Sequence, residues 1–272
     1  MEKKRGNYNK HGNRPQKQPQ EIDETNPIMK MFKDFSIQLD EKHDRYERIV
    51  KLSRDITIES KRIIFLLHNQ DTDIESKRAG ILQEADKRLK QLIDGQFKSI
   101  ANELKGQDHY QFLRAYTAGV QEFIEAMLFY QYIKDDTIDQ WHVINDKFTY
   151  KSEEGDDYSF LFPQMEFILG LADFTGELMR KCINSIGSGQ VETCFKICGF
   201  VKFILSGFMG SNNTGHKEVG RKLYTLKQSL TKMEMVCYNI RVRGSEVPKH
   251  MLGIVSSRHN LEDIRDEDEG YY

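Results

Sequence analysis

The chain has 272 residues, a formal net charge of −2 and 38% hydrophobic residues, which is enough for one large domain or two small ones. The near-neutral charge means that any nucleic-acid-binding surface has to be local. Only five prolines and long periodic segments argue against an all-β or proline-rich fold. No apolar run approaches the roughly 18 residues of a membrane span, and no apolar signal core opens the chain, so neither is expected.

Residues 1–26 are almost free of hydrophobic side chains and are predicted to form a disordered, basic and polar tail. The KKR run at Lys3–Arg5 is open to two interpretations, a nuclear signal or part of a solvated tail without an address.

A long first helix is predicted from Ile28 to about His68, where apolar residues recur every three or four positions. This is far longer than the mean helix of about 11–12 residues and is typical of a long bundle helix. Its middle part clusters basic residues: Arg45, Arg48, Lys51, Arg54, Lys61 and Arg62. They form either a solvated face or a contact for a nucleic-acid backbone.

A second helix is predicted over Ile74–Leu104, with Gly106 ending it. His109 follows in a loop or first turn and is interpreted as structural. The periodicity breaks over residues 134–162, where Asp139–Phe148 is predicted to form a short helix. The acidic, turn-rich residues 151–159 are predicted to form a surface loop.

The stretch Leu113–Ile133 reads as a helix that is apolar nearly all the way round, and such a helix belongs in a core. It nevertheless carries Glu122 and Glu125, which are three residues apart and therefore neighbours on one face. The two acids either face water along a narrow polar seam or bind a cation, since buried carboxylates repel each other unless something offsets their charge.

A second apolar helix, predicted over Pro163–Asn184, places Glu166, Asp173 and Glu177 on one face. Gly170 lies between these acids and leaves room there for another backbone or a ligand.

If the two helices pack together, four carboxylates converge: Glu122, Glu125, Asp173 and Glu177. An all-oxygen set of ligands suits Mg²⁺, with Mn²⁺ as the alternative. A di-iron bundle would want Glu-x-x-His pairs, and both helices lack that spacing.

Two further helices are predicted, Val191–Met209 and Glu218–Arg243. The second carries basic residues near Tyr224 that suit either a solvated face or phosphate contact. The cysteines at 182, 194, 198 and 237 lie in apolar helical patterns without C-x-x-C spacing and are predicted to be buried, reduced thiols. The predicted fold class is an all-α bundle of about six or seven helices, several of them long, with a disordered N-terminal tail.

Several of these stretches resemble the TRAX (translin-associated factor X) branch of the translin family. They are GVQEFIEA, ILGLADFTGELMR, KLYTLKQSL, RVRGSEVPKHML and, at residues 42–68, KHDRYERIVKLSRDITIESKRIIFLLH. The resemblance covers roughly residues 27–252. It implies a translin-like helical domain there, between the tail at 1–26 and an acidic, flexible tail at 253–272.

The resemblance also implies a function. Members of this branch assemble with translin into a hollow hetero-oligomer, expected to be an octamer, in which this subunit supplies Mg²⁺-dependent endoribonuclease activity. Single-stranded RNA is the expected substrate, including passenger-strand fragments removed during RISC activation, and single-stranded DNA is a second expected ligand. Cytoplasm and nucleus are the expected locations, and no membrane association is expected.

The family's acidic motif falls on Glu122, Glu125 and Asp173, with Glu177 as a further participant that is either a metal ligand or the base that activates water. A rival hypothesis makes the chain a non-catalytic partner that stabilises translin and helps to bind nucleic acid. In that case the acids form a structural network with Arg180 or with translin. A redox di-metal bundle is disfavoured because His ligands are missing from both helices.

Overall fold

A computed structural model describes residues 26–69, 75–152, 155, 157–187, 190–211 and 216–243. Within these ranges the chain forms α1 (Pro27–His68), α2 (Glu75–Leu92), α3 (Lys98–Leu104), α4 (Leu113–Asp135), α5 (Trp141–Asn145), α6 (Gln164–Gly187), α7 (Val191–Ser211) and α8 (Lys217–Arg243). A single π-helical turn, Ile93–Phe97, joins α2 to α3. If α2 and α3 are counted as one interrupted helix, the described ranges contain seven helices. This confirms the predicted all-α bundle.

The chain divides into two compact units, Met1–Asp44 and Arg45–Tyr272. In the first unit the described residues after Asn26 belong to α1, and their apolar side chains, such as Phe32 and Leu39, are exposed. In the second unit, α6 packs against α4, α7 and α8. Its core is formed mostly by aliphatic and phenylalanine side chains, because α4 and α6 carry apolar residues on most of their faces.

A small β-hairpin corrects the prediction of a plain surface loop over residues 151–159. Strand β1 (Thr149–Lys151) pairs antiparallel with β2 (Asp157–Ser159), and Tyr150 lies opposite Tyr158. The Tyr150 hydroxyl donates a 2.9 Å hydrogen bond to the Ile93 carbonyl oxygen in the π-turn. The hairpin forms because a buried tyrosine can anchor so short a strand to the bundle.

Helix α7 bears on the expectation that the chain has no membrane span. It is long and apolar enough to cross a membrane by length and composition alone, and no other helix in the described ranges is. That expectation stays a prediction. In the structure α7 packs against α6 and α8, and 33% of its apolar window is buried.

The remaining helix predictions are close to the structure. His109 begins a short 3₁₀ turn, His109–Phe112, which is capped by the Asp108 side chain. Residues 1–25, Lys3–Arg5 among them, and residues 244–272 lie outside the described ranges. The predicted tails and the nuclear signal therefore stay predictions.

A candidate acidic site between two buried helices

Close packing of α4 on α6 sets the position of the acidic residues. A Cβ atom at Gly170 would lie 2.8 Å from Ile124 Cβ and 3.0 Å from the Gln121 carbonyl oxygen, so only glycine allows this approach. Gly170 thus makes room for another helix, one of the two possibilities predicted for it. Helix α1 also comes close to α4, where the Gly119 N–H donates to Ser53 Oγ at 3.2 Å.

The structure brings together the four predicted acids, which we call the acid cluster: Glu122, Glu125, Asp173 and Glu177. Glu125 lies at its electrostatic centre. Burial, the largest cause, and repulsion from the other three carboxylates together raise the pKa of Glu125 to about 8, against an opposing effect of Lys222. A carboxyl group that is both desolvated and surrounded by like charges holds its proton more tightly.

Cations from the chain itself lie against the other three members. Lys61 Nζ lies 3.1 Å from Glu122 Oε1, and Lys222 forms an ion pair with Asp173. His68 Nε2 lies 2.5 Å from Glu177 Oε2, and the Arg180 guanidinium donates to the same oxygen at 3.0 Å.

Glu125 differs from its neighbours. In the part of the chain that the structure describes, no hydrogen bond or ion pair is made by its carboxyl group. The cluster therefore has one member whose negative charge is not locally neutralised, and that member is the one with the strongly raised pKa.

The donor types of the acid cluster fit a hard divalent cation, because all four side chains offer carboxylate oxygens. The present arrangement of these four side chains fits such a cation less well. Among the described residues, no three His, Cys, Asp or Glu side chains are arranged so that they could hold a metal ion. Glu122, Asp173 and Glu177 are paired instead with lysine, histidine and arginine side chains.

Sequence reasoning missed the contribution of α1 to this site. His68 and Lys61 reach the acid cluster from that helix, and Lys222 reaches it from α8. No spacing rule within α4 or α6 could reveal these residues, because 109 positions separate His68 from Glu177. Glu166, in contrast, accepts a 2.6 Å hydrogen bond from Gln121 and does not interact with Glu125.

The basic residues predicted along α1 have different environments. Arg48 forms a two-point ion pair with Glu103, and Arg62 pairs with Glu59. Lys51 and Arg54 are exposed, and within the described ranges they have no ion-pair partner. Some of these cations are therefore paired within the chain, and for Lys51 and Arg54 the two interpretations stay open.

Comparison with known proteins finds similar sequences over most of the chain. The model of the translin family matches residues 44–244. Translin-associated protein X of Pongo abelii is 42% identical over 96% of this chain and 95% of its own length, and that of Mus musculus is 44% identical over 86% and 85%. The Schizosaccharomyces pombe homolog is 28% identical over 79% and 87%.

Two solved structures share the fold. Apo-NeC3PO superposes with a TM-score of 0.58 at 20% identity, covering 77% of this chain and 95% of the other. A complex of AfC3PO with duplex RNA gives a TM-score of 0.55 at 18% identity, covering 86% and 100%.

Proposed function

Since the chain belongs to the translin family, we propose that it is the catalytic subunit of a hetero-oligomer with translin. In this proposal it is a Mg²⁺-dependent endoribonuclease, with Mn²⁺ as an alternative ion, that cleaves single-stranded RNA. Passenger-strand fragments are a proposed substrate of this kind.

The observation that carries the proposal is the environment of Glu125. Its side chain is half-buried beside three other carboxylates, and the described residues give it no partner, so its pKa lies far above the ordinary value of 4.5. Perturbed carboxylates of this kind are typical of sites that bind a cation or transfer a proton. A structural network alone would be more stable with Glu125 paired.

We assign Glu122, Glu125 and Asp173 as the residues that would hold the divalent ion. Such an ion, when bound, acidifies a water molecule and neutralises charge that develops on a phosphodiester. Glu177 would either join these ligands or accept the proton of the attacking water on a carboxylate oxygen. His68 and Arg180, both on Glu177 Oε2, orient that carboxylate.

The proposed partner and the proposed substrate are supported by different observations. The relatives that share over 40% identity are named as associated with translin, and one solved structure of the same fold is in complex with duplex RNA. Exposed cations on α1, such as Lys51 and Arg54, are suited to hold an RNA backbone. Single-stranded DNA would be held by the same charges.

The test compares Glu125→Gln with Glu166→Gln in complexes assembled with translin. Both changes remove one carboxylate and keep its shape, but Glu166 lies outside the acid cluster, bonded to Gln121. We expect Glu125→Gln to lower the rate of single-stranded RNA cleavage in Mg²⁺ by about a hundredfold or more, the size expected for loss of an essential catalytic group. Glu166→Gln should cleave at close to the unaltered rate.

A specific observation also favours the rival function, a non-catalytic partner of translin. The ion pairs of Glu122, Asp173 and Glu177 with Lys61, Lys222 and Arg180 form the kind of structural network that this rival requires. It predicts that Glu125→Gln leaves cleavage unchanged and alters only assembly or melting temperature. Measuring cleavage and assembly on the same samples separates the two functions.

A further inference from the structure

Four cysteines from three helices lie together and offer thiols, which the acid cluster lacks. Cys182 of α6, Cys194 and Cys198 of α7, and Cys237 of α8 are all free and buried. Cys194 Sγ donates to the Cys182 carbonyl oxygen at 3.0 Å. The proposed nuclease function uses none of these thiols.

Cys237 occupies a special position in this group. The neighbouring thiols of Cys182 and Cys198, as hydrogen-bond donors, and the charge of Lys202 lower the pKa of Cys237 against the opposing effect of burial. The Cys182 thiol also donates to the Cys194 carbonyl oxygen at 3.8 Å. Cys237 and Cys198 both line one groove. The pKa of Cys198, in contrast, is raised to about 11, first by burial and then by the charge of Cys237.

A groove between α7 and α8 gives access to this sulfur. It encloses about 550 Å³ and is lined by Cys198 and Cys237, with Phe195 and Tyr238 as aromatic walls and Lys202 and Arg241 as cations. Lys202 forms a 2.7 Å ion pair with Glu234, whereas Arg241 has no partner within the described ranges. A small electrophile with a negative charge would therefore be attracted to the groove.

We propose that Cys237 is a modification site, a nucleophilic thiol that reacts with small electrophiles and hydroperoxides entering the α7–α8 groove, and that Cys198 is its resolving thiol. Cys182 and Cys194 do not react, because the thiol of each donates to the backbone carbonyl oxygen of the other.

The chemistry with a hydroperoxide takes two steps. The Cys237 thiolate attacks one peroxide oxygen, the O–O bond breaks, and the other oxygen leaves with the electron pair and takes up a proton, which produces a sulfenic acid. Cys198 then loses its proton and attacks the Cys237 sulfur. The S–O bond breaks, hydroxide leaves as water after protonation, and a disulfide is formed at the expense of the peroxide.

The experiment treats the folded full-length chain with a limiting amount of iodoacetamide and locates the label by peptide mass spectrometry. We expect Cys237 to react about tenfold faster than each of the other three cysteines, as a stabilised thiolate should. Hydrogen peroxide should then produce a disulfide between Cys198 and Cys237. First labelling of another cysteine, labelling only in denaturant, or a disulfide between any other pair would overturn the proposal.

Two variants keep the test independent of folding defects. Lys202→Met leaves every thiol in place and should slow alkylation by the anionic iodoacetate more than alkylation by the neutral iodoacetamide. Cys194→Ser is the matched control for Cys237→Ser and should leave the rate at Cys237 unchanged. An equal effect of Lys202→Met on both reagents would remove the role given to the cation.

Discussion

The pKa of Glu125 reflects the burial and the charges of the residues around it. Burial and three nearby carboxylates raise the pKa of this group to about 8, while each of those carboxylates has a cationic partner. Within the cluster, the unfavourable burial and repulsion of a carboxylate therefore act mainly on Glu125. A group of this kind changes its charge within the range in which the protein is handled, so its effects are measurable.

The first prediction concerns stability and pH. Because the pKa of Glu125 is higher in the folded chain than its ordinary 4.5, the folded state keeps a proton that the unfolded state releases. Its contribution to stability is fully present below pH 4.5 and is lost as pH rises to about 8. Each unit of pKa difference corresponds to about 1.4 kcal/mol.

Glu125→Gln should therefore lose less stability than the unaltered chain between pH 5 and pH 9, which urea denaturation at each pH would measure. Glu166→Gln is the control and should keep the pH dependence of the unaltered chain. Parallel curves for Glu125→Gln and the unaltered chain would contradict the assigned pKa.

At this same scale, sequence predicted only part of the site. The spacing of Glu122 with Glu125 and of Asp173 with Glu177 was enough to place each pair on one helical face. His68, Lys61 and Lys222 could not be predicted, because they reach the cluster through the packing of α1 and α8. Which side chain of a long helix faces a given neighbour depends on tertiary contacts that local periodicity does not encode.

Among the elements, the contact of α4 with α6 decides the geometry of the site, and it depends on one glycine. Gly170→Ala would place a methyl group 2.8 Å from Ile124 Cβ, so the helices must separate. We expect a loss of about 1–3 kcal/mol in the free energy of unfolding, together with weaker cleavage in the translin complex.

Gly176 on the same helix offers a control of opposite sign. A Cβ atom there meets nothing within 4 Å, so Gly176→Ala should stabilise the helix by about 0.5–1 kcal/mol. Urea denaturation of both variants measures the difference. Similar effects of the two alanines would show that the helix contact at Gly170 tolerates more separation than the distances indicate.

The basic face of α1 supports a prediction about RNA. Replacing Lys51 and Arg54 by glutamine should weaken binding of single-stranded RNA by the translin complex. It should also reduce the slope of log affinity against log salt by about one for each cation that contacts a phosphate. Arg48→Gln is the control, because Glu103 already neutralises that side chain.

For the whole molecule, composition and periodicity were sufficient to predict an all-α bundle and the approximate ends of its long helices. The hairpin at Tyr150 and Tyr158 was not predictable, because strands of three residues have no periodicity to detect. The π-turn at Ile93–Phe97 was missed for a related reason. Its sequence, IDGQF, fits an α-helix equally well, and the two differ only in their backbone hydrogen bonds, such as the one from the Lys98 N–H to the Ile93 carbonyl oxygen.

A prediction at this scale links the proposed metal to the pH. Mg²⁺ should raise the melting temperature more at a pH above the pKa of Glu125 than at a pH below it, since protons compete with the metal for the carboxylate. Thermal melts with and without Mg²⁺ at the two values measure this. The Glu125→Gln variant should show a smaller shift at both.

The ion pairs of Lys61, Lys222 and Arg180 with the acid cluster have a practical consequence. Because the chain carries its own counter-ions for three of the four acids, we expect it to reach its folded state without a divalent ion, unlike small domains that metals hold together. Preparations stripped with a chelator should keep their circular dichroism spectrum and urea midpoint at mildly acidic pH. Any activity lost on stripping should then return when the ion is restored, without a refolding step.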